Sequence, residues 1–213
     1  MGLFRQRFRP TTLRPLIYCP WGDSIAYGSN ASPRLTARWS TLVANQIMRQ
    51  CARRPIEINV SIPGAVVVDT LNPALDTNVL IYNPELIILA GGLNDMRKGT
   101  NTTTFQNSYD AMVAEAVGHA SVSWVVCCSL PHITDYDNEE YAPFNVGSDA
   151  DNHTFNTIIS ARATANGAEF ADVHGGMDHN DSLVDTDGIH PNNAGHANIA
   201  ATVAAVVVAA INS

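Results

Sequence analysis

Short apolar runs recur along the chain with polar turns between them. Leu16–Cys19, Ile56–Val60, Leu86–Ala90, Val122–Cys128 and Glu169–Val173 are rich in Ile, Val and Leu. Runs of this length and composition predict strands buried in a parallel sheet. Between them the period changes. Leu35, Trp39, Leu42, Val43 and Ile47 fall at helical spacing, as do Phe105, Tyr109, Met112, Val113 and Ala116. Each set predicts one amphipathic helix. Phe155, Ile158, Ile159 and Arg162 mark a further helix, and Pro191 suits the first position of a last one. The apolar, Ala-rich stretch that follows reads as a buried terminal helix rather than a membrane span. Strand–helix–strand alternation predicts an α/β fold, a five-stranded parallel sheet covered on both faces.

Composition changes this picture little. The 213 residues are 46% hydrophobic and 15% charged, enough for one sizeable core. No linker divides them, so residues 16–213 are expected to form one domain, preceded by a flexible basic arm, residues 1–15, that carries Arg5, Arg7, Arg9 and Arg14. The net charge of −8 argues against a nucleic-acid partner. The first residues do not read as a signal peptide. The four cysteines, Cys19, Cys51, Cys127 and Cys128, fit no zinc pattern and read as buried, reduced thiols. A cytoplasmic location is expected on these grounds, with an extracellular or virion-associated one left open.

Polar residues of interest follow strands, where sites in open parallel sheets lie. Gly22-Asp23-Ser24-Ile25 follows the first strand. A serine there needs a base to act as a nucleophile, and Asp23-Ser24 can equally be a helix N-cap. Neither a phosphate-binding loop nor Gly-x-Ser-x-Gly is present, since Ala26 stands where the last glycine of that motif would be. Ser61-Ile62-Pro63-Gly64 follows the second strand, and Gly91-Gly92-Leu93-Asn94-Asp95 the third. The Asn94 amide can donate to a developing oxyanion or form an Asx-turn. In Asp187-Gly188-Ile189-His190-Pro191-Asn192, a carboxylate and an imidazole three residues apart can pair, which fixes the tautomer and frees Nε2 to take a proton. By itself such a pair can also be a helix cap or half a metal site.

The remaining histidines offer less. His174, Asp178, His179, Asp181 and Asp185 form an acidic loop in which a divalent cation is conceivable, but the spacing matches no metal motif and a solvated loop is expected. His132 follows the fourth strand and is placed to line a pocket, while His119, His153 and His196 are read as surface or helix positions.

Four blocks in this order, each just beyond a predicted strand, resemble the SGNH (GDSL-type) hydrolase family. They are Gly22-Asp23-Ser24-Ile25-Ala26-Tyr27-Gly28, the segment around Gly64, Gly92-Leu93-Asn94-Asp95, and Asp187 to Asn192. The resemblance implies a flavodoxin-like three-layer α/β/α sandwich and a serine esterase that hydrolyses carboxylic esters without a metal or other cofactor. It implies Ser24 as nucleophile, His190 as general base and then acid, and Asp187 as its orienter. The oxyanion hole would be the backbone N–H groups of Ser24 and Gly64 with the Asn94 side chain. The substrate is expected to be a small short-acyl or acetyl ester, with an acetylated sugar as one option. Neither a membrane nor a nucleic acid is expected as a partner. Two departures stand out. Pro20-Trp21 precede the first block, and because proline cannot donate to a ladder the strand is expected to end early. Ser61 and Pro63 occupy positions that are often small or Gly in the family.

Two other readings use the same residues: acyl transfer to a sugar or alcohol, and a non-catalytic carbohydrate-binding or virion-associated module on the same fold. The segment from 129 to 151, with Tyr136, Tyr141, Phe144 and several carboxylates, is expected to form one wall of the pocket.

Overall fold

The computed structural model describes residues 13–137 and 139–213. Most of the arm expected at residues 1–15 lies outside the described residues. Arg14 and Pro15 do not belong to an arm, because they already pair with Arg53 and Arg54 in the sheet.

Five strands form one parallel sheet: β1 (Arg14–Gly22), β2 (Arg53–Glu57), β3 (Leu86–Ala90), β4 (Trp124–Cys128) and β5 (Glu169–Ala171), in the order β2-β1-β3-β4-β5. In chain order the α-helices are α1 (Ser24–Tyr27), α2 (Arg34–Ala37), α3 (Trp39–Gln50), α4 (Leu75–Asn78), α5 (Leu93–Arg97), α6 (Thr102–Gly118), α7 (Asp149–Ala165), α8 (Val173–Met177) and α9 (Asn193–Asn212). α3 links β1 to a neighbour on one side, whereas α6 and α7 link β3, β4 and β5 towards the other. Right-handed crossovers running in opposite directions place their helices on opposite faces. Accordingly α3 packs on α9, and α6 packs on α7. The reversal falls between β1 and β3, and the carboxyl ends of these strands flank the crevice where such sheets bind ligands.

β3 shows why the apolar runs become strands. Leu86, Ile87, Ile88 and Leu89 are all fully buried, one face against each helical layer. Burying each such side chain contributes about 1.5–3 kcal/mol. α9 has the length and hydropathy to cross a membrane. Its stripe of His196, Ile199, Ala200, Val203, Ala204 and Val207 is buried in the fold, with α3, β4 and β5 among its neighbours.

Five expectations are corrected. β1 does not stop at Pro20 but runs on to Gly22, with Pro20 opposite Ile88. The Tyr18 and Gly22 carbonyls accept from Ile58 and Ile62, so alternate residues of β1 face the β2 side. Pro20 is one of them, and β2 has already ended at Glu57, so the missing N–H faces no strand. β2 itself spans Arg53–Glu57 rather than Ile56–Val60. As an edge strand it has one pairing partner, and Pro55 is tolerated there. The first predicted helix is two: the chain breaks at Arg38 (ψ 145°), and Leu35 is 65% exposed instead of facing the core. Pro191 precedes α9 rather than opening it, because Asn192 is the N-cap and accepts from the Ala194 and Gly195 N–H groups. Cys19, Cys127 and Cys128 are buried free thiols, while Cys51 is only partly buried.

Candidate active site

Ser24 is the first residue of α1, directly beyond β1. Asp23 caps this helix, its carboxylate accepting from the Ile25 N–H at 3.0 Å. Trp39 Nε1 donates to the Ile25 carbonyl at 3.0 Å and so ties α1 to α3. Gly22 has to be glycine because a Cβ there would stand 1.9 Å from the Ala90 carbonyl oxygen. The ends of β1 and β3 therefore meet at van der Waals contact beneath the serine.

His190 Nε2 lies 2.8 Å from Ser24 Oγ, and His190 Nδ1 lies 2.7 Å from Asp187 Oδ2. A carboxylate only accepts, so Nδ1 carries the proton and Nε2 faces the hydroxyl as acceptor. Asp187 also takes the Ile189 and His190 backbone N–H groups on Oδ1, both at 2.9 Å. Burial pushes its pKa up, but the donors from His190 and Ile189 outweigh this and hold it below the ordinary carboxylate value. The turn between the two residues requires Gly188. Its φ is +72°, and a Cβ would come within 2.5 Å of Asp135.

The second and third blocks are fastened to the same place. Ile62 N–H donates to the Gly22 carbonyl, and Ala65 N–H closes a turn around Gly64 on the Ile62 carbonyl. Asn94 is 7% exposed at the start of α5, and its Nδ2 donates to the Ala65 carbonyl at 2.9 Å. Asp95 accepts from Val67 N–H at 2.6 Å and from Val68 N–H at 3.3 Å. Gly64 and Asn94 are thus brought to the crevice end beside Ser24 through the Gly22–Ile62 and Asn94–Ala65 bonds. Two carboxylates near the serine form no ion pair among the described residues. Burial raises Asp23 to about 7, with Asp95 adding repulsion, and burial raises Asp95 to about 6.

A model of the GDSL-like lipase/acylhydrolase family matches residues 21–197. The chain belongs to this family. Like its members it is a carboxylic ester hydrolase, so the non-catalytic reading falls away. No functionally curated protein matches the sequence. Among solved structures, a catalytic variant of Axe2, an acetylxylan esterase from Geobacillus stearothermophilus, superposes with a TM-score of 0.73 at 16% identity, covering 90% of this chain and 94% of its own. A lipase/acylhydrolase from Enterococcus faecalis gives 0.73 at 20% identity, with 91% and 96% covered. An alpha/beta hydrolase from the Lake Arreo metagenome gives 0.68 at 21%, with 93% and 97% covered. These likenesses show the shared three-layer fold.

Sequence reading missed two residues at this GDSL-family site. Asn30, with φ +63°, donates from Nδ2 to Asp187 Oδ2 at 2.8 Å. Its loop is clamped to α9 by His196 Nε2 on the Ser29 carbonyl and by the Asn193 amide on Ser32. Arg97, 3% exposed on α5, lies under the Tyr141 ring at 5.5 Å. Described residues of the 129–151 segment touch Gly188 and Arg97. Thr134 and Asp135 N–H groups donate to the Gly188 carbonyl, and Val146 N–H donates to Arg97.

Proposed function

We propose that the chain hydrolyses short-acyl esters through an acyl-enzyme on Ser24. Ser24 Oγ attacks the ester carbonyl while His190 Nε2 takes its proton, and Asp187 stabilises the imidazolium that forms. The Ser24 and Gly64 N–H groups and the Asn94 amide receive the tetrahedral oxyanion. His190 then protonates the departing alcohol, and water repeats the sequence on the acyl group. The observation that carries this reading is the unbroken line from Asp187 through both nitrogens of His190 to the Ser24 hydroxyl, at 2.7 and 2.8 Å.

An acetylated carbohydrate is the substrate class we favour. Tyr136, Tyr141 and several carboxylates on the 129–151 segment, close to Gly188 and Arg97, suit a hydroxyl-rich alcohol moiety, and Axe2 is named as an acetylxylan esterase. Ser24→Ala should lower nitrophenyl acetate hydrolysis by about 10⁴–10⁶ with an unchanged circular dichroism spectrum. Substantial turnover in the folded variant would overturn the assignment. Product analysis with an added acceptor alcohol separates hydrolysis from acyl transfer.

A further inference from the structure

Away from the triad, at the same carboxyl end of the sheet, four imidazoles gather. His132 follows β4, His153 lies on α7, His174 lies on α8 and His179 follows α8. Ring centroids are 6.4 Å apart for His132 and His174, 4.7 Å for His153 and His174, and 6.3 Å for His132 and His179. Ligand atoms from His132, His174 and Asp178 lie within 4.8 Å of one another, as do those from Asp149, His153 and His174. His174 is common to both sets.

The ring nitrogens carry the inference. His132 is 8% exposed and His174 5%, yet His132 Nδ1 and His174 Nε2 are buried with no hydrogen-bond partner among the described residues. Native structures rarely leave such groups unpaired, and two in one cluster call for a partner. His132 shows what kind. Its Nε2 donates to Asp181 Oδ1 at 2.9 Å, which leaves Nδ1 as a bare lone pair. A carboxylate holding one nitrogen while the other is left as a lone pair is the usual arrangement around a metal-ligating histidine. His174 is held through its main chain: its backbone N–H donates to Ser129 Oγ at 2.8 Å, and that hydroxyl donates in turn to Asp172 at 3.3 Å.

We propose that His132, His174 and Asp178 bind a divalent transition-metal ion of the zinc class, with the Asp149–His153 pair beside them as the source of a further ligand. Two imidazoles and a carboxylate suit zinc, whereas calcium and magnesium take oxygen ligands. Zn–N bonds of about 2.0–2.1 Å put tetrahedral ligand atoms roughly 3.3 Å apart. Side-chain rotation closes the remaining distance, since Asp178 and His153 are partly solvent-exposed. A surface groove of about 850 Å³, lined in part by His153, Asp172, His174 and Asp178, provides the entry path. The ion would join the segment after β4 to α8. That segment continues into Thr134 and Asp135, which hold the Gly188 carbonyl, so the metal braces one wall of the triad loop and takes no part in the chemistry.

The test is titration of the chelator-stripped full chain with Zn²⁺ alone, followed by calorimetry and thermal unfolding. Saturable uptake of a single ion per chain is expected, with a Tm rise of roughly 5–10 °C at about 100-fold excess over Kd. His174→Gln and Asp178→Ala should each weaken binding by at least about 10-fold. His190→Ala should bind as wild type does, which separates this site from capture by the catalytic imidazole. If His174→Gln fails to fold, Asp178→Ala decides alone, because its side chain is already partly exposed. Absence of saturable binding, undiminished affinity in Asp178→Ala, or loss in His190→Ala alone would each overturn the proposal.

Discussion

Two histidine–aspartate pairs stand at the same end of one sheet, and they differ in what the second ring nitrogen meets. In His190–Asp187 the bond is 2.7 Å and the free nitrogen faces the Ser24 hydroxyl. In His132–Asp181 the bond is 2.9 Å, the free nitrogen is buried with no partner among the described residues, and the ring clusters with His174 and Asp178. The carboxylate does the same work in both, fixing a tautomer and presenting a lone pair. The third group decides whether that lone pair serves as a base or as a metal ligand.

The sharpest way to break this comparison is to remove the two carboxylates in turn. Asp187→Ala should lower kcat by about 10⁴, the scale seen when a triad imidazole loses its orienting partner. Asp181→Ala should instead weaken zinc binding by about 10–100-fold, and its cost to hydrolysis in metal-free buffer should be far below that at Asp187. Steady-state kinetics and zinc titration on both variants give the four numbers needed. Equal kinetic losses would erase the distinction.

Next in size is the oxyanion donor. Asn94→Ala should lower kcat by about 10²–10³. Asn94 also holds the Ala65 carbonyl, so thermal unfolding must accompany the kinetics. A loss below tenfold in a folded variant would remove Asn94 from the hole.

The blocks around Ser24, Gly64 and Asn94 were legible because each follows an apolar run, and the fold turns strand ends into one crevice; the His190 block, which follows α8 rather than a strand, was legible through the Asp187–His190 spacing. β3 matched its run residue for residue, since a strand buried on both faces leaves no polar interruption. β2 was misplaced because an edge strand carrying Arg53 and Arg54 has no such run, while the apolar residues after it leave the regular ladder and keep only single bonds to β1, from Ile58 to Tyr18 and from Ile62 to Gly22. The histidine cluster was only half visible for a different reason. The sequence groups His174 and Asp178 in one loop, where a solvated loop is expected, but metal motifs need close spacing and His132 and His153 arrive on two other elements. Asn30 was missed because its role depends on a left-handed backbone and a partner 157 positions away.

Asn30 supplies the next, smaller effect. It gives one of four hydrogen bonds to the Asp187 carboxylate, and a net bond of about 0.5–1.5 kcal/mol corresponds to roughly 2–10-fold in rate. Asn30→Ala should lower kcat by that factor with KM little altered. Asn30→Asp should do worse, because it sets a second carboxylate against Asp187. A wild-type rate in both would make the contact incidental.

The last comparison is with Asp23, which neighbours the serine but faces no imidazole. Its carboxyl is 2% exposed, and burial, with Asp95 nearby, raises its pKa to about 7. In the unfolded chain an aspartate titrates near about 3.9. Below that value both states hold the proton and burial carries no ionic penalty. As pH rises towards 7 the unfolded state releases its proton first, so this group's contribution to stability falls, and it is lost once the native carboxyl ionises. Asn keeps an oxygen to accept the Ile25 N–H and is itself a favoured N-cap, but it does not titrate. Asp23→Asn should therefore gain Tm over wild type progressively from pH 4 to pH 8, by about 2–4 °C for each kcal/mol recovered. Unfolding scans across that range check it, and a Tm difference independent of pH would mean that Asp23 is held charged by a partner after all.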